Sequence, residues 1–155
     1  MDQEKDFIEQ QTDELLASIG GTLTADNMST LSSDAITLIA YRMLRDAVMD
    51  GGFIGLIHNG LGPFIFFNPL AKAIREMGKG TEDEEVLHRL STIINKGGKL
   101  FRKHGEVLTQ DYTYDEFMAL YEQYPQFDAL DDEFVSDEDA YAAAIERAWN
   151  RLAAS

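Results

Sequence analysis

The sequence contains no cysteine and only three prolines among its 155 residues. Without cysteine the protein can form no disulfide, no thiolate zinc site and no cysteine nucleophile. The chain also lacks any run of 18 apolar residues, so we expect no membrane-spanning helix. Its first six residues, MDQEKD, show neither the basic segment nor the apolar stretch of a secretory signal, which predicts a cytoplasmic protein.

Positive charge is scarce as well. The chain has 13 Lys and Arg against 28 Asp and Glu, which gives a net charge of −15. A negative field of this size repels phosphate backbones and anionic lipid, so we predict no direct binding to nucleic acid or to a membrane. The simplest partner for such a surface is a basic protein.

The charge is unevenly distributed along the chain. Residues 1–34 carry a net −7, residues 35–110 a net +2 and residues 111–155 a net −10. No Lys or Arg occurs between Asp111 and Glu146. Acids concentrated at the ends of a chain indicate an interaction surface, whereas acids spread evenly would indicate solubility. The ordinary alternative is a solvated face without a partner.

Hydrophobic periodicity predicts an all-α fold: a compact single domain over residues 1–155, built as a bundle of about six to eight helices. The clearest helix spans Ile36 to Val48, where apolar residues recur at i, i+3, i+4 and i+7. Another helix is expected from about Gln3 to Ile19. The apolar runs between residues 53 and 67 are too short to assign from their period, so a minor strand pair stays possible there.

Helix boundaries are expected at glycine pairs and capping signals. Gly51-Gly52 should interrupt the helix that begins near residue 34, and Gly97-Gly98 should kink or break a later one. Thr81, Thr113 and Ser136 each precede acids in the pattern of a helix start. We therefore predict three capped helices, one beginning at each of these residues.

Metal and catalytic motifs are incomplete. Glu85 and His88 form one E-x-x-H pair, but di-iron bundles use two such pairs. The helix–loop–helix calcium site needs a glycine, and none follows Gly105. His58 and His104 stand beside glycines without a readable nucleophile and acid partner. We therefore predict no metal, no cofactor and no catalytic residue.

The acids of the C-terminal third are the predicted partner-binding residues. Helix neighbours at i, i+3 or i+4 stand about 5–6 Å apart, and phosphates on one DNA strand follow every ~3.4 Å along the axis. Carboxylates on rigid helices can therefore approximate a phosphate array, and the interleaved tyrosines favour a protein interface. The set comprises Asp111, Asp115, Glu116, Glu122, Asp128, Asp131, Asp132, Glu133, Asp137, Glu138 and Asp139.

Two segments resemble the bacterial DNA-mimic protein family. The first is Asp50-Gly51-Gly52-Phe53, followed by Asn59-Gly60-x-Gly62 and a helix that ends in Met77-Gly78. The second is the segment FDALDDEF at residues 127–134, before the last helix. The resemblance covers about residues 31–152. It implies an all-helical domain without catalysis, whose acidic surface imitates DNA. By position it also implies that Gly51, Gly52, Phe53 and Asn59 determine the fold, through positive φ, core packing and a backbone cap.

The leading hypothesis is a non-enzymatic DNA mimic that occupies the basic surface of a transcription factor or another DNA-binding protein. An immunity protein that neutralises a toxin is the alternative, and an enzyme of unknown class is a third possibility. A homodimer is also possible. The basic cluster of Lys96, Lys99, Arg102 and Lys103 is expected to face the acidic ends, within one chain or across such a dimer.

Overall fold

The computed structural model describes residues 6–154, and this range contains nine α-helices and no strand. The all-α prediction is confirmed, with one helix more than the upper predicted number. None of these helices is long and apolar enough to cross a bilayer. The helices are α1 (Phe7–Ala17), α2 (Ala25–Met28), α3 (Ser33–His58), α4 (Gly62–Phe66), α5 (Leu70–Gly78), α6 (Glu84–Leu108), α7 (Tyr114–Gln123), α8 (Gln126–Ser136) and α9 (Glu138–Ala154).

The two long helices, α3 and α6, form the centre of the fold. Helices α4 and α5 pack along both of them, α8 lies against both, and α9 covers α6 and α5. Burying one aromatic or large aliphatic side chain contributes about 1.5–3 kcal/mol, so this shared core holds the short helices in place. Its largest fully buried side chains include Tyr41, Tyr141, Phe53, Phe127 and Phe134.

The glycine pair interrupts helix α3, as predicted, because Gly52 forms a kink between two helical segments. Gly52 has φ 70° and ψ −175°, a conformation that only glycine adopts without strain, and helical backbone resumes at Phe53. The Phe53 N–H donates to Asp131 Oδ1 at 2.8 Å, which caps the second half of the helix from outside. The apolar runs considered for strands are thus helical, in α3 and α4.

The predicted kink at Gly97-Gly98 is wrong, because α6 runs unbroken from Glu84 to Leu108. Both glycines are buried. A Cβ added at Gly97 would lie 2.9 Å from the ring of Phe53. The pair therefore serves close packing between α6 and the kinked part of α3, and it does not interrupt the helix.

Of the three predicted capped starts, only Thr113 is confirmed. Thr113 Oγ1 accepts from the Glu116 N–H at 3.2 Å, and Glu116 Oε1 accepts from the Thr113 N–H at 2.9 Å. Thr81 is wrong because α6 begins three residues later, at Glu84. Ser136 is wrong because it ends α8, where its hydroxyl lies within hydrogen-bonding distance of a carbonyl of the same helix.

The N-terminal helix is held to α3 by ion pairs. Asp6 caps α1 and accepts from Arg45 at 2.6 Å, and Arg42 donates to Asp13 at 2.6 Å. The predicted helix from Gln3 to Ile19 is thus found over its middle, since residues 1–5 lie outside the described residues. The Arg45 side chain is almost fully buried, so its ion pair with Asp6 lies at the edge of the hydrophobic core.

Candidate acidic interface

The C-terminal third, residues 111–155, contains two bases, and both pair with an acid outside that third. Arg147 and Arg151 donate to Asp83, at 2.7 Å and 3.2 Å respectively. The carboxylate is 4% exposed, and hydrogen bonds from Arg147 hold its pKa below the ordinary value against the effect of burial. These two arginines therefore connect α9 to the start of α6 and are engaged away from the predicted binding acids.

Two of the predicted partner-binding acids form exposed ion pairs with bases of α6. Asp137 meets Arg89 at 2.8 Å and Glu133 meets Lys96 at 3.4 Å. All four of those side chains are about half exposed, and exposed pairs contribute only ~0–1 kcal/mol, so their carboxylates can exchange partners.

Glu138 lies in a different environment. Its side chain is 12% exposed and stands 3.5 Å from the almost buried Arg45. Burial raises the pKa of Glu138, and the charge of Arg45 opposes that rise. This acid therefore belongs to the structural contact between α9 and α3, and it is poorly placed to meet a partner.

Two further predicted acids have structural hydrogen bonds. Glu116 completes the capping box of α7, and the bond from the Thr113 backbone lowers its pKa. Asp131 is half-buried on α8 and caps the α3 kink through Phe53. Burial raises the pKa of Asp131 to about 6; the Phe53 hydrogen bond opposes this rise, and nearby Asp128 adds to it.

The remaining six predicted acids, which we name the open acids, make no hydrogen bond or ion pair through their side chains within residues 6–154. All six are exposed. They occur on α7 and α8, before α7 and in the first turn of α9. The open acids are Asp111, Asp115, Glu122, Asp128, Asp132 and Asp139.

Helix geometry sets the spacing of the open acids. Asp115 and Glu122 are seven residues apart on α7, which corresponds to a rise of ~10.5 Å. Asp128 and Asp132 are four residues apart on α8, a rise of ~6 Å. Phosphates advance ~3.4 Å per nucleotide along one strand, so these pairs match about three and about two nucleotide steps. The arrangement can therefore present charge at intervals like those of a DNA backbone.

A groove of about 710 Å³ lies between the kink of α3 and α7, and we name it the kink groove. Tyr121 stands at its base, where the hydroxyl donates to the carbonyl of Gly51 at 2.7 Å. The sequence did not point to this site, because its walls come from segments about 60 residues apart; the interleaved tyrosines were its only local sign. The lining of the groove includes Met49, Asp50, Tyr112, Tyr114, Phe117, Met118 and Asp131.

The residues of the first family segment have structural positions. Positive φ occurs at Gly52 but not at Gly51, and Phe53 is fully buried. Asn59 is the C-cap residue of α3, where its backbone N–H donates to the carbonyl of Gly55 at 3.0 Å. These observations agree with the fold roles that the resemblance implied for Gly52, Phe53 and Asn59.

The histidines do not come together with other ligating groups. In the described part of the chain, no cluster of three or more His, Asp or Glu side chains could hold a metal ion. The ring of His58 packs 4.6 Å from that of Phe117, and its Nδ1 lies 2.9 Å from the carbonyl of Leu108. His104 packs 4.8 Å from the ring of Tyr124. Their surroundings are those of packed aromatic residues.

Comparison with known proteins gives a family. The model of the DMP19-like protein family matches residues 29–153. The chain is also 31% identical over 107 residues to the DNA mimic protein DMP19 of Neisseria meningitidis serogroup B, and this alignment covers 68% of the chain. The chain spans 60% of the length of that relative. The family match includes both segments named above, and together with the relative it shows that the chain belongs to the DMP19-like protein family.

Proposed function

We propose that this protein is a non-enzymatic DNA mimic that occupies the basic surface of a DNA-binding protein in the cytoplasm. The observation that carries the proposal is the set of six open acids before and on α7, on α8 and on α9, in a segment whose two arginines are engaged elsewhere. The name of the Neisseria relative supports the same function.

The physical basis is charge complementarity. A DNA-binding groove presents Lys and Arg for phosphates, so each opposed carboxylate lowers the energy of the complex and speeds encounter. The open acids have no internal cation to give up when a partner arrives, whereas Asp137 and Glu133 must first exchange Arg89 and Lys96. The open acids should therefore contribute most of the electrostatic part of the affinity.

The experiment begins with capture of a partner from the native host, identified by mass spectrometry. The partner is then titrated with a quadruple open-acid variant, Asp115→Asn, Glu122→Gln, Asp128→Asn and Asp132→Asn. A matched control removes the same charge from exposed acids of the body, through Glu76→Gln, Glu82→Gln, Glu85→Gln and Glu106→Gln. Both variants have the same net charge, so only the position of the acids differs.

We expect the open-acid variant to lose at least about tenfold in affinity at low salt, with a flatter dependence on salt than the wild type. Salt screens such contacts over about 8–10 Å. The body variant should lose much less. Equal affinity of the two variants would contradict the proposal. Capture of a toxin that binds no nucleic acid would replace DNA mimicry with the immunity function.

A further inference from the structure

We propose that the kink groove receives an arginine side chain of the partner, with an apolar residue next to that arginine resting on the rim. This inference rests on the proposed function, since it assigns one contact of the basic partner. The groove differs from the open acids, because it is concave and combines carboxylates with aromatic and methionine side chains.

The charges of the groove select a cation. Asp50 is exposed at the rim and makes no side-chain hydrogen bond or ion pair within residues 6–154. Asp131 is held in place by the N–H of Phe53. None of the described residues that line the groove is Lys or Arg. A cationic side chain is therefore the complement that these two carboxylates lack.

The aromatic residues favour arginine over lysine. Tyr112, Tyr114 and Phe117 line the groove, and Tyr114 is 76% exposed, so its ring has no partner along most of its surface. A planar guanidinium can stack on such a ring and donate two parallel hydrogen bonds to one carboxylate, which an ammonium group cannot do.

The rim of the kink groove carries exposed apolar side chains. Met49 is 53% exposed and Met118 is 45% exposed, on opposite sides of the groove in α3 and α7. Methionine is flexible and polarizable, and it adapts to apolar side chains of different shapes. The two methionines can therefore contact an aliphatic residue next to the partner's arginine. Imitation of phosphate charge alone would not require such apolar contacts.

The groove is continuous with the open acids through α8. Asp128 and Asp131 are three residues apart and share a face of that helix. Asp128 and Asp132 lie close enough to Asp131 on α8 that their charges raise its pKa, beside the larger effect of burial. A basic segment bound along the open acids can thus place one arginine in the groove without leaving the acidic surface.

The test uses a defined probe, the peptide acetyl-Gly-Leu-Arg-Leu-Gly-amide, titrated into protein with ¹³C-labelled methionine methyl groups. Two matched peptides replace the arginine with lysine or with the neutral isostere citrulline. We expect the arginine peptide to shift the signals of Met49 and Met118 together, the lysine peptide to bind several-fold more weakly, and citrulline to leave them unchanged. No shift at millimolar peptide, or equal shifts from all three peptides, would overturn the inference.

Two protein variants make the test specific. The groove variant combines Asp50→Asn with Tyr114→Ala, both at exposed positions, so the fold should persist. The control combines Asp26→Asn with Phe67→Ala, which removes one exposed acid and one exposed aromatic elsewhere. One cation–π contact and one carboxylate together are worth about tenfold in affinity. We expect that loss in the groove variant only, and equal affinities of the two variants would contradict the inference.

The captured partner separates this inference from the proposed function. If the groove variant binds the partner like the wild type while the quadruple open-acid variant does not, the groove assignment is wrong and DNA mimicry stands. If the open-acid variant retains full affinity, the proposed function fails whatever the peptides show. Loss of affinity in both variants supports both proposals.

Discussion

The two ends of the chain are similarly acidic, but the fold uses their acids differently. Near the N-terminus, Asp6 and Asp13 are bound by Arg45 and Arg42 of α3. On α7 and α8, Asp115, Glu122, Asp128 and Asp132 make no ion pair with a cation among the described residues. Acids of the first kind hold helices together, and acids of the second kind are available to a partner. Net charge alone cannot separate these roles, because it does not show where the arginines point.

The largest expected effect concerns Gly52, at the kink of α3. Gly52→Val should lower the free energy of unfolding by about 3 kcal/mol, because a Cβ there would overlap Asp131 Oδ2 and a valine would be strained at φ 70°. Asp132→Asn, at an open acid, should change it by less than about 0.5 kcal/mol. Urea denaturation measures both, and equal midpoints would refute the role given to Gly52.

Breaking the N-terminal ion pairs should have the next largest effect. Arg45→Met leaves Asp6 and Glu138 without their shared cation, and we expect a loss of about 2 kcal/mol, reduced by the solvent that reaches Asp6. Arg89→Met serves as the control, since its pair with Asp137 is half exposed. If both variants melt at the same temperature, the acids near the N-terminus do not hold the fold as described.

Removing open acids tests the other half of the comparison, the acids that have no internal cation. The quadruple open-acid variant should unfold at the wild-type temperature or slightly above it, because the repulsion among carboxylates that it loses offsets the favourable first-turn charges of Asp115 and Asp128. The prediction is checked by a thermal melt at low salt, where repulsion is least screened. A fall of several degrees would mean that these acids have internal partners and contribute to folding.

Much of the fold follows from local signals. The Ile36–Val48 periodicity and the Thr113 capping box predict their helices correctly, because both depend on residues within a few positions. The predictions at Thr81 and at Gly97-Gly98 were wrong because contacts with residues far away in the chain decide the local structure there. Asp83, which follows Thr81, is drawn to Arg147 on α9, and Gly97 receives the ring of Phe53.

The candidate site was predictable in composition and not in detail. The absence of bases between residues 111 and 146 located the acidic segment. Which acids stay open depends on partners far away in the chain, such as Arg45 for Glu138, 93 residues apart. The kink groove could not be predicted from the sequence for the same reason, since Asp50 and Asp131 come together only through the kink of α3.

The last expected effect is a pH dependence of stability that comes from Asp131. Because its pKa is raised to about 6 in the fold, the protonated carboxyl contributes stability below about pH 4, and this contribution is lost as the pH rises through 6. Asp131→Asn keeps an acceptor for Phe53 and carries no charge. The variant should therefore melt several degrees above the wild type at pH 7.5 and at the same temperature at pH 4. A difference independent of pH would contradict this assignment, with Asp132→Asn as the control.

Competition with DNA tests the central claim most directly. A fluorescent duplex bound to the captured partner is titrated with the wild-type protein, and the anisotropy of the duplex is followed at several duplex concentrations. DNA mimicry predicts complete displacement, with a midpoint that rises in proportion to the duplex concentration, and displacement by the open-acid variant only at much higher protein concentration. A stable ternary complex of partner, duplex and this protein would contradict the claim, because two ligands of one basic surface cannot bind together.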